Sequence, residues 1–320
     1  TVVTGVSGSG KSTFCREVLF ENLSRRLKDA QAPLVGTDQL TGFENVGRVL
    51  EVDQTPIGKN SRSCPATYVG IMTAIRDLYA ATNEAQARGY DASRFSFNKA
   101  VGACPVCAGQ GLRTVEMNFL PDVKVLCEAC AGKRFNPETL EVLWRGKSIG
   151  DVLEMEIDEA VDFFASMPSI AYPLKLMQDV GLGYLTLGQP SPTLSGGEAQ
   201  RLKLVTELAK VRTDGSFAAR APHTLYVLDE PTVGLHMTDV DRLSKVLSRL
   251  VDAGSTVVVI EHNLDIAADA DWIIDLGPEG GAKGGKVVAQ GSPKMVARKN
   301  TATGIVLRAF LAEHKPVKSA

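Results

Sequence analysis

Three groups of residues have the types and spacings that chemistry needs. Gly5-Val6-Ser7-Gly8-Ser9-Gly10-Lys11-Ser12 fits the pattern G-x-x-x-x-G-K-[ST] without a mismatch. In that pattern glycines let backbone N–H groups wrap phosphates, the lysine adds a point charge at the β- and γ-phosphates, and the hydroxyl reaches Mg²⁺. ATP with Mg²⁺ is therefore expected on Gly5, Ser7, Gly8, Gly10, Lys11, Ser12 and Thr13. Asp229-Glu230 ends the apolar run that starts at Thr224. Successive strand side chains point to opposite sides, so Asp229 can hold Mg²⁺ through water while Glu230 faces the γ-phosphate and polarises the attacking water. Cys104-x-x-Cys107 and Cys127-x-x-Cys130 are separated by 19 residues, which suits four thiolates around one tetrahedral Zn²⁺. Two disulfides or free thiols are the alternative, and they fit poorly with a chain that otherwise reads as cytosolic.

A second phosphate-binding surface is implied by Leu194-Ser195-Gly196-Gly197-Glu198-Ala199-Gln200. Ser195 is placed as a helix N-cap, Glu198 completes a capping box, and Leu202, Val205 and Leu208 give the apolar stripe behind it. Gly196 and Gly197 leave backbone N–H groups bare at the positive end of that helix, where an anion is favoured.

The elements that must position these groups are legible in outline. Thr1–Thr4 is a short apolar strand leading into the glycine loop, with a helix from Thr13. Residues 46–53 alternate as a strand that ends at Gln54, and 71–88 carry Ile71, Ile75, Leu78 and Tyr79 on one helical face. Residues 238–251 read as a helix, Thr256–Ile260 as a β-branched strand with Glu261-His262 at its end, and 272–276 with 286–289 as a hairpin around the glycine-rich stretch 277–285. Cys15 reads as a small buried apolar residue.

With 320 residues, 44% apolar and 22% charged, the chain can bury a large core, and two or more domains are expected. The net charge of −2 advertises no polyanion partner, but a balanced total can hide a basic face. Between Arg88 and Lys147 nine basic residues stand against six acidic ones. Phe95, Phe97, Phe119 and Phe135 lie among them, which is compatible with nucleic acid or with the small core of a zinc ribbon. No apolar run approaches the about 18 residues of a membrane helix, and no signal-peptide pattern opens the chain, so a cytoplasmic protein with no membrane partner is expected.

A glycine-rich phosphate loop paired with an LSGGE helix resembles the ATP-binding-cassette ATPases. That resemblance implies an α/β fold of the P-loop type with a helical signature subdomain, and a signature helix that covers the nucleotide of another cassette. It makes Gln54 the residue that reaches Mg²⁺ and the attacking water, His262 the switch histidine at the γ-phosphate, and Gly234-Leu235-His236 the loop that signals across the paired cassettes. Ser195, Gly196 and Gly197 would then face the partner cassette's nucleotide. Thr1 already lies in the strand feeding the loop, so a piece of a longer protein is expected.

The resemblance narrows with Arg94–Asn98, Cys104–Gly111, Phe119–Val125, Gly132–Val142 and Val180–Pro190. These stretches are similar to the carboxy-terminal half of UvrA, the damage-sensing ATPase of bacterial nucleotide excision repair. The likeness runs from Thr1 to about Val296 and leaves the tail 297–320 unplaced. It implies binding of damaged double-stranded DNA, loading of UvrB, pairing with the amino-terminal cassette module of the same protein, and a homodimer. It also implies an excinuclease system in which this chain is not the nuclease, and a place in the SOS response.

Two departures are visible: Cys64, where that family usually has asparagine, and a long connection at Val211–Pro222. They leave room for a class II UvrA paralogue associated with drug resistance. Two other readings are a transporter ATPase subunit, which gives no reason for the cysteines, and a DNA-binding module whose ATPase is structural. The first cysteine knuckle also matches a J-type chaperone repeat, a family without a phosphate loop. The expected organisation is a first part of the ATP-binding core at 1–58 and an insertion at 59–193 with its zinc module at about 95–137. The signature helix and second part of the core would follow at 194–296, and then the tail.

Overall fold

The computed structural model describes residues 1–58, 60–115, 117, 123–210 and 222–313. The chain divides into two compact units, Thr1–Gln54 with Lys210–Ala320, and Thr55–Ala209. The helix following Ser195 falls in the second unit, whereas the sequence boundary at 194 grouped it with the core.

In chain order the strands among the described residues are β1 (Val2–Gly5), β2 (Arg48–Val52), β3 (Leu112–Val115), β4 (Val123–Leu126), β5 (Leu143–Trp144), β6 (Lys147–Ser148), β7 (Thr224–Asp229), β8 (Thr256–Ile260), β9 (Ile273–Gly277) and β10 (Lys286–Gly291). The first unit is built on a sheet ordered β10-β9-β1-β8-β7-β2, parallel except for β10 against β9. Its central strands are near-continuous apolar runs because a parallel sheet is covered on both faces. Val3, Leu225, Val227, Val258, Ile260 and Leu276 form one buried cluster with Cys15 and Leu23 of the helical segment that follows the glycine loop. Cys15 is fully buried, and burial pushes its thiol up to about 12, so it behaves as the apolar residue expected.

The expected helix after the glycine loop starts with a π-helical stretch, Thr13–Phe20, and becomes α-helical over Glu21–Arg26. The expected helix at 238–251 extends over Met237–Asp252, with His236 as N-cap. The hairpin expected near the carboxyl end is β9 with β10. Part of the unplaced tail is also ordered. Ala302–Glu313 is a helix whose Leu307 is fully buried with Ile273, Ala289 and Val296, and Thr303 Oγ1 donates to Asp275 Oδ1 at 2.7 Å.

The second unit is mainly helical. The single helix expected over 71–88 is two, Ile71–Ala80 and Asn83–Ala87. Thr82 causes the break: its hydroxyl caps Ala85 N at 3.3 Å and also donates to Tyr79 O at 2.8 Å, competing with helical backbone bonds. Cys64 is the N-cap residue of the turn Pro65–Tyr68, a place that asparagine also favours. Phe95, Phe97 and Phe135 are buried, and their rings pack as Tyr79 against Phe95 and Phe97 against Phe135. These three aromatics are core and offer no stacking surface. Phe119, Glu116, Asp122, the connection 211–221 and the tail end 314–320 lie outside the described residues.

Candidate functional site

The glycine loop leaves the carboxyl end of β1 and is shaped by backbone conformations that side chains rarely adopt. Gly5, Gly8 and Gly10 have φ of 139°, 74° and 93°, a region that glycine enters at little cost. A Cβ on Gly5 would also run into Leu276 O. Lys11 is buried, and its Nζ donates to Gly5 O and Val6 O at 3.0 Å each. Burial lowers the Lys11 pKa, opposed by the carboxylates of Glu230, Asp229 and Asp275. The cation is held inside its own loop, facing the end of β7.

The structure brings the other expected residues of this unit to the same strand ends. β7 lies between β2 and β8. Gln54, just past β2, donates from Nε2 to Asp229 O at 3.4 Å. Asp229 is the last residue of β7, and Glu230 follows with φ of 45°, an uncommon conformation for a side chain of this size. Its N–H bonds to Ile260 O at 2.9 Å. His262 Nε2 lies 3.6 Å from Glu230 Oε1.

Four contributors have no role assigned by the sequence reading. Glu261 is 2% exposed, and its carboxylate accepts from Thr232 N, His262 N and Asn263 N at 2.9, 2.9 and 3.2 Å. It therefore ties the turn after Glu230 to the loop carrying His262. Arg16, in the π-helical stretch, pairs with Glu51 through Nε and stands 3.4 Å from Asp229 Oδ2 through Nη2. Gly281 N donates to Gly8 O at 3.0 Å and Gly285 N to Ser9 O at 2.9 Å. The stretch expected to be only a hairpin turn is thus the wall of the phosphate loop. In the second unit, Tyr184 Oη donates to Glu198 Oε1 at 2.6 Å. Only Glu261 offered a signal, as a carboxylate beside His262 at a strand end.

Ser195 is the N-cap of the helix Gly196–Leu208, and its box with Glu198 is complete: Ser195 N to Glu198 Oε2 is 2.7 Å and Glu198 N to Ser195 Oγ is 3.3 Å. Partial burial pushes the Glu198 carboxyl up, but the hydrogen bonds from Tyr184 and Ser195 prevail and hold it below its ordinary value.

The four cysteines converge in the second unit. All are buried, all are free thiols, and their sulfurs lie within 4.8 Å of one another. Cys104 Sγ to Cys127 Sγ is 3.9 Å and Cys107 Sγ to Cys130 Sγ is 3.7 Å. Sulfurs about 2.3 Å from a tetrahedral zinc would be about 3.8 Å apart, so the donor set fits that ion and neither disulfide is formed. Gly111 N donates to Cys107 Sγ at 3.3 Å, a bond that supports a charged sulfur.

No family model matches the chain. Its sequence is 57% identical over 310 residues to UvrABC system protein A of Thermus thermophilus, covering 97% of this chain and 31% of that protein. The corresponding protein of Aquifex aeolicus is 54% identical, with 97% and 33% covered. Among solved structures, the crystal structure of UvrA2 from Deinococcus radiodurans superposes with a TM-score of 0.84 at 48% identity, covering 96% of this chain and 36% of that one. The chain spans about a third of the length of the curated relatives it matches. Among the described residues no helix is long and apolar enough to cross a membrane.

Proposed function

On the premise that the chain is of the UvrA family, we propose that it supplies one ATP-hydrolysing cassette of a damage-recognition protein. The carrying observation is that the loop Gly5–Thr13, Gln54, Asp229, Glu230 and His262 meet at the carboxyl ends of neighbouring parallel strands. Ligands of open parallel sheets bind at those ends.

Bound Mg–ATP supplies the phosphoryl group and the metal that draws charge from it. Backbone N–H groups of Gly8, Gly10 and Lys11 face the phosphates, and Lys11 Nζ exchanges its bonds to Gly5 O and Val6 O for phosphate oxygens. Ser12, Gln54 and Asp229 hold the metal, with Ser7 and Thr13 completing the cradle. Glu230 takes the proton of the attacking water, and His262 orients against the γ-phosphate with its backbone fixed by Glu261. Ser195, Gly196 and Gly197 serve the nucleotide of a second cassette, so the amino-terminal module of the same protein is a required partner. Cys104, Cys107, Cys127 and Cys130 hold Zn²⁺ and shape the surface that meets damaged double-stranded DNA. The assembly is a homodimer that hands lesions to UvrB and leaves incision to other proteins.

The test is ATP hydrolysis by this chain within its full-length protein, titrated with intact and ultraviolet-damaged duplex at one salt concentration. Turnover that responds differently to the two duplexes is expected. Turnover indifferent to both would remove the DNA assignment and favour a transport role. UvrB retained on the full-length protein distinguishes the repair form from a class II paralogue.

A further inference from the structure

Arg134 is a cation with 4% exposure. No ion pair joins it to a carboxylate among the described residues, which is costly for a buried charge unless something else answers it. Its guanidinium makes two hydrogen bonds to backbone carbonyls of distant segments. Nη1 donates to Ser61 O at 2.8 Å and Nη2 to Gly188 O at 2.6 Å. The ring of Phe97 lies 5.1 Å below it. Its own backbone belongs to the cysteine cluster: Arg134 O accepts from Cys104 N at 2.8 Å, and Cys130 Sγ is hydrogen-bonded by the Arg134 backbone. The residue has φ of 71°, so its conformation is imposed by what surrounds it.

The two carbonyls are placed tellingly. Ser61 lies in the segment that follows Gln54, and Gly188 opens the segment that leads to Ser195. These segments are themselves joined, since Ser191 N donates to Ser63 O at 2.8 Å and Ser191 Oγ meets Ser63 Oγ at 2.9 Å. Gln110, between the two cysteine knuckles, accepts from Ser61 Oγ through Oε1 at 3.2 Å. A tetrathiolate zinc carries two negative charges, and it would be the countercharge that Arg134 otherwise lacks.

We propose that Arg134 is a positioning residue through which the metal-loaded cysteine cluster holds the lead-in to the Ser195 helix in place. With the ion bound, both knuckles fix the Arg134 backbone and the side chain clamps Ser61 and Gly188. Without it, the knuckles open, the buried cation loses its countercharge and the clamp releases. This rests on the zinc reading of the four cysteines and is independent of the ATPase assignment.

The experiment is backbone hydrogen exchange on the full-length protein, zinc-loaded and after chelation, read at the amides of Ser63, Ser191 and Ser195, with zinc content measured on each sample. Two hydrogen bonds to a charged donor are lost on release, so chelation should speed exchange at these amides about tenfold or more. Arg134→Met should show that acceleration while still holding one zinc per chain, and chelation should then add less than about twofold. Arg134→Lys, which keeps the charge but loses the two-pronged donor, should fall between the two. Wild-type protein that holds zinc, yet exchanges at Ser191 and Ser195 identically after chelation, overturns the proposal. Wild-type protein that holds no zinc fails the metal reading first, and the proposal with it.

Discussion

Glu230 and His262 stand at the ends of adjacent parallel strands with Glu230 Oε1 and His262 Nε2 3.6 Å apart. Glu230 has a left-handed φ, and the buried Glu261 accepts a hydrogen bond from the backbone N–H of His262. A carboxylate and an imidazole from two strands therefore share one space.

Glu230→Gln keeps the shape of the side chain and leaves Asp229, proposed above to hold the metal, in place, but removes the proposed proton acceptor. In the full-length protein ATP affinity should change by less than about twofold while turnover falls roughly a hundredfold or more, the usual size of a general-base contribution. Paired measurement of nucleotide binding and steady-state hydrolysis checks this. Wild-type turnover in the variant would take the role away from Glu230.

Gly280 has φ of −84°, so alanine there meets no backbone strain, but its Cβ would lie 2.7 Å from Ser7 O. Gly280→Ala should press on the phosphate loop and weaken ATP binding by roughly tenfold, since overpacking costs on the order of 1–3 kcal/mol. Equilibrium binding of a fluorescent ATP analogue reads it. Unchanged affinity would mean that the loop yields freely.

Cys104→Ser should abolish stoichiometric zinc, because three thiolates and a hydroxyl make a poor closed site. Metal analysis and hydrogen exchange should show loss of the ion and loosening of residues 104–135, with the six-stranded sheet of the other unit unaltered. A variant that retains one zinc per chain contradicts the four-cysteine site.

Lys133 Nζ bonds Asp151 Oδ1 at 2.6 Å, and Asp151 Oδ2 accepts from Ser148 N and Oγ. Partial burial pushes the Asp151 carboxyl up, but these bonds prevail and hold it below its ordinary 3.8. Asp151 raises the Lys133 pKa above 10.5. A depressed carboxyl contributes stability that is full above 3.8 and lost as pH falls through the lower folded value. A raised ammonium contributes stability that is full below 10.5 and lost as pH rises through the higher one. Asp151→Ala should therefore cost the Thr55–Ala209 unit about 1 kcal/mol at neutral pH, from the lost helix-start bonds and a partly exposed pair. The difference from wild type should shrink steadily below pH 3.8. Denaturant unfolding at pH 7 and at pH 3 measures both, and a difference that persists undiminished in acid would contradict the assignment.

The phosphate loop, the two cysteine knuckles, the Ser195–Glu198 box and the acidic end of β7 were legible in the chain because each works through residues adjacent in sequence. Backbone N–H groups that wrap phosphates must be consecutive, a knuckle is a tight turn, and a helix cap spans one turn. The strands β1, β7 and β8 were legible as short apolar runs, and β2 by its alternation. Thr82 splits one expected helix because its hydroxyl competes locally for backbone bonds, although helical periodicity continues across it.

Other features depend on partners far apart in the chain. Arg134 reads as one more basic residue of a mildly basic insertion until Ser61 O and Gly188 O are seen to take its guanidinium, 73 and 54 positions away. The glycines of 277–285 read as the connection of a hairpin until they lie against Gly8 and Ser9. Phe95, Phe97 and Phe135 could have been a stacking surface or a core, and burial settled it. Local patterns specify which atoms a segment can offer, and long-range packing specifies which atoms meet them, because a hydrogen bond or a buried ring contact is fixed by distance in space and leaves no periodicity in the sequence.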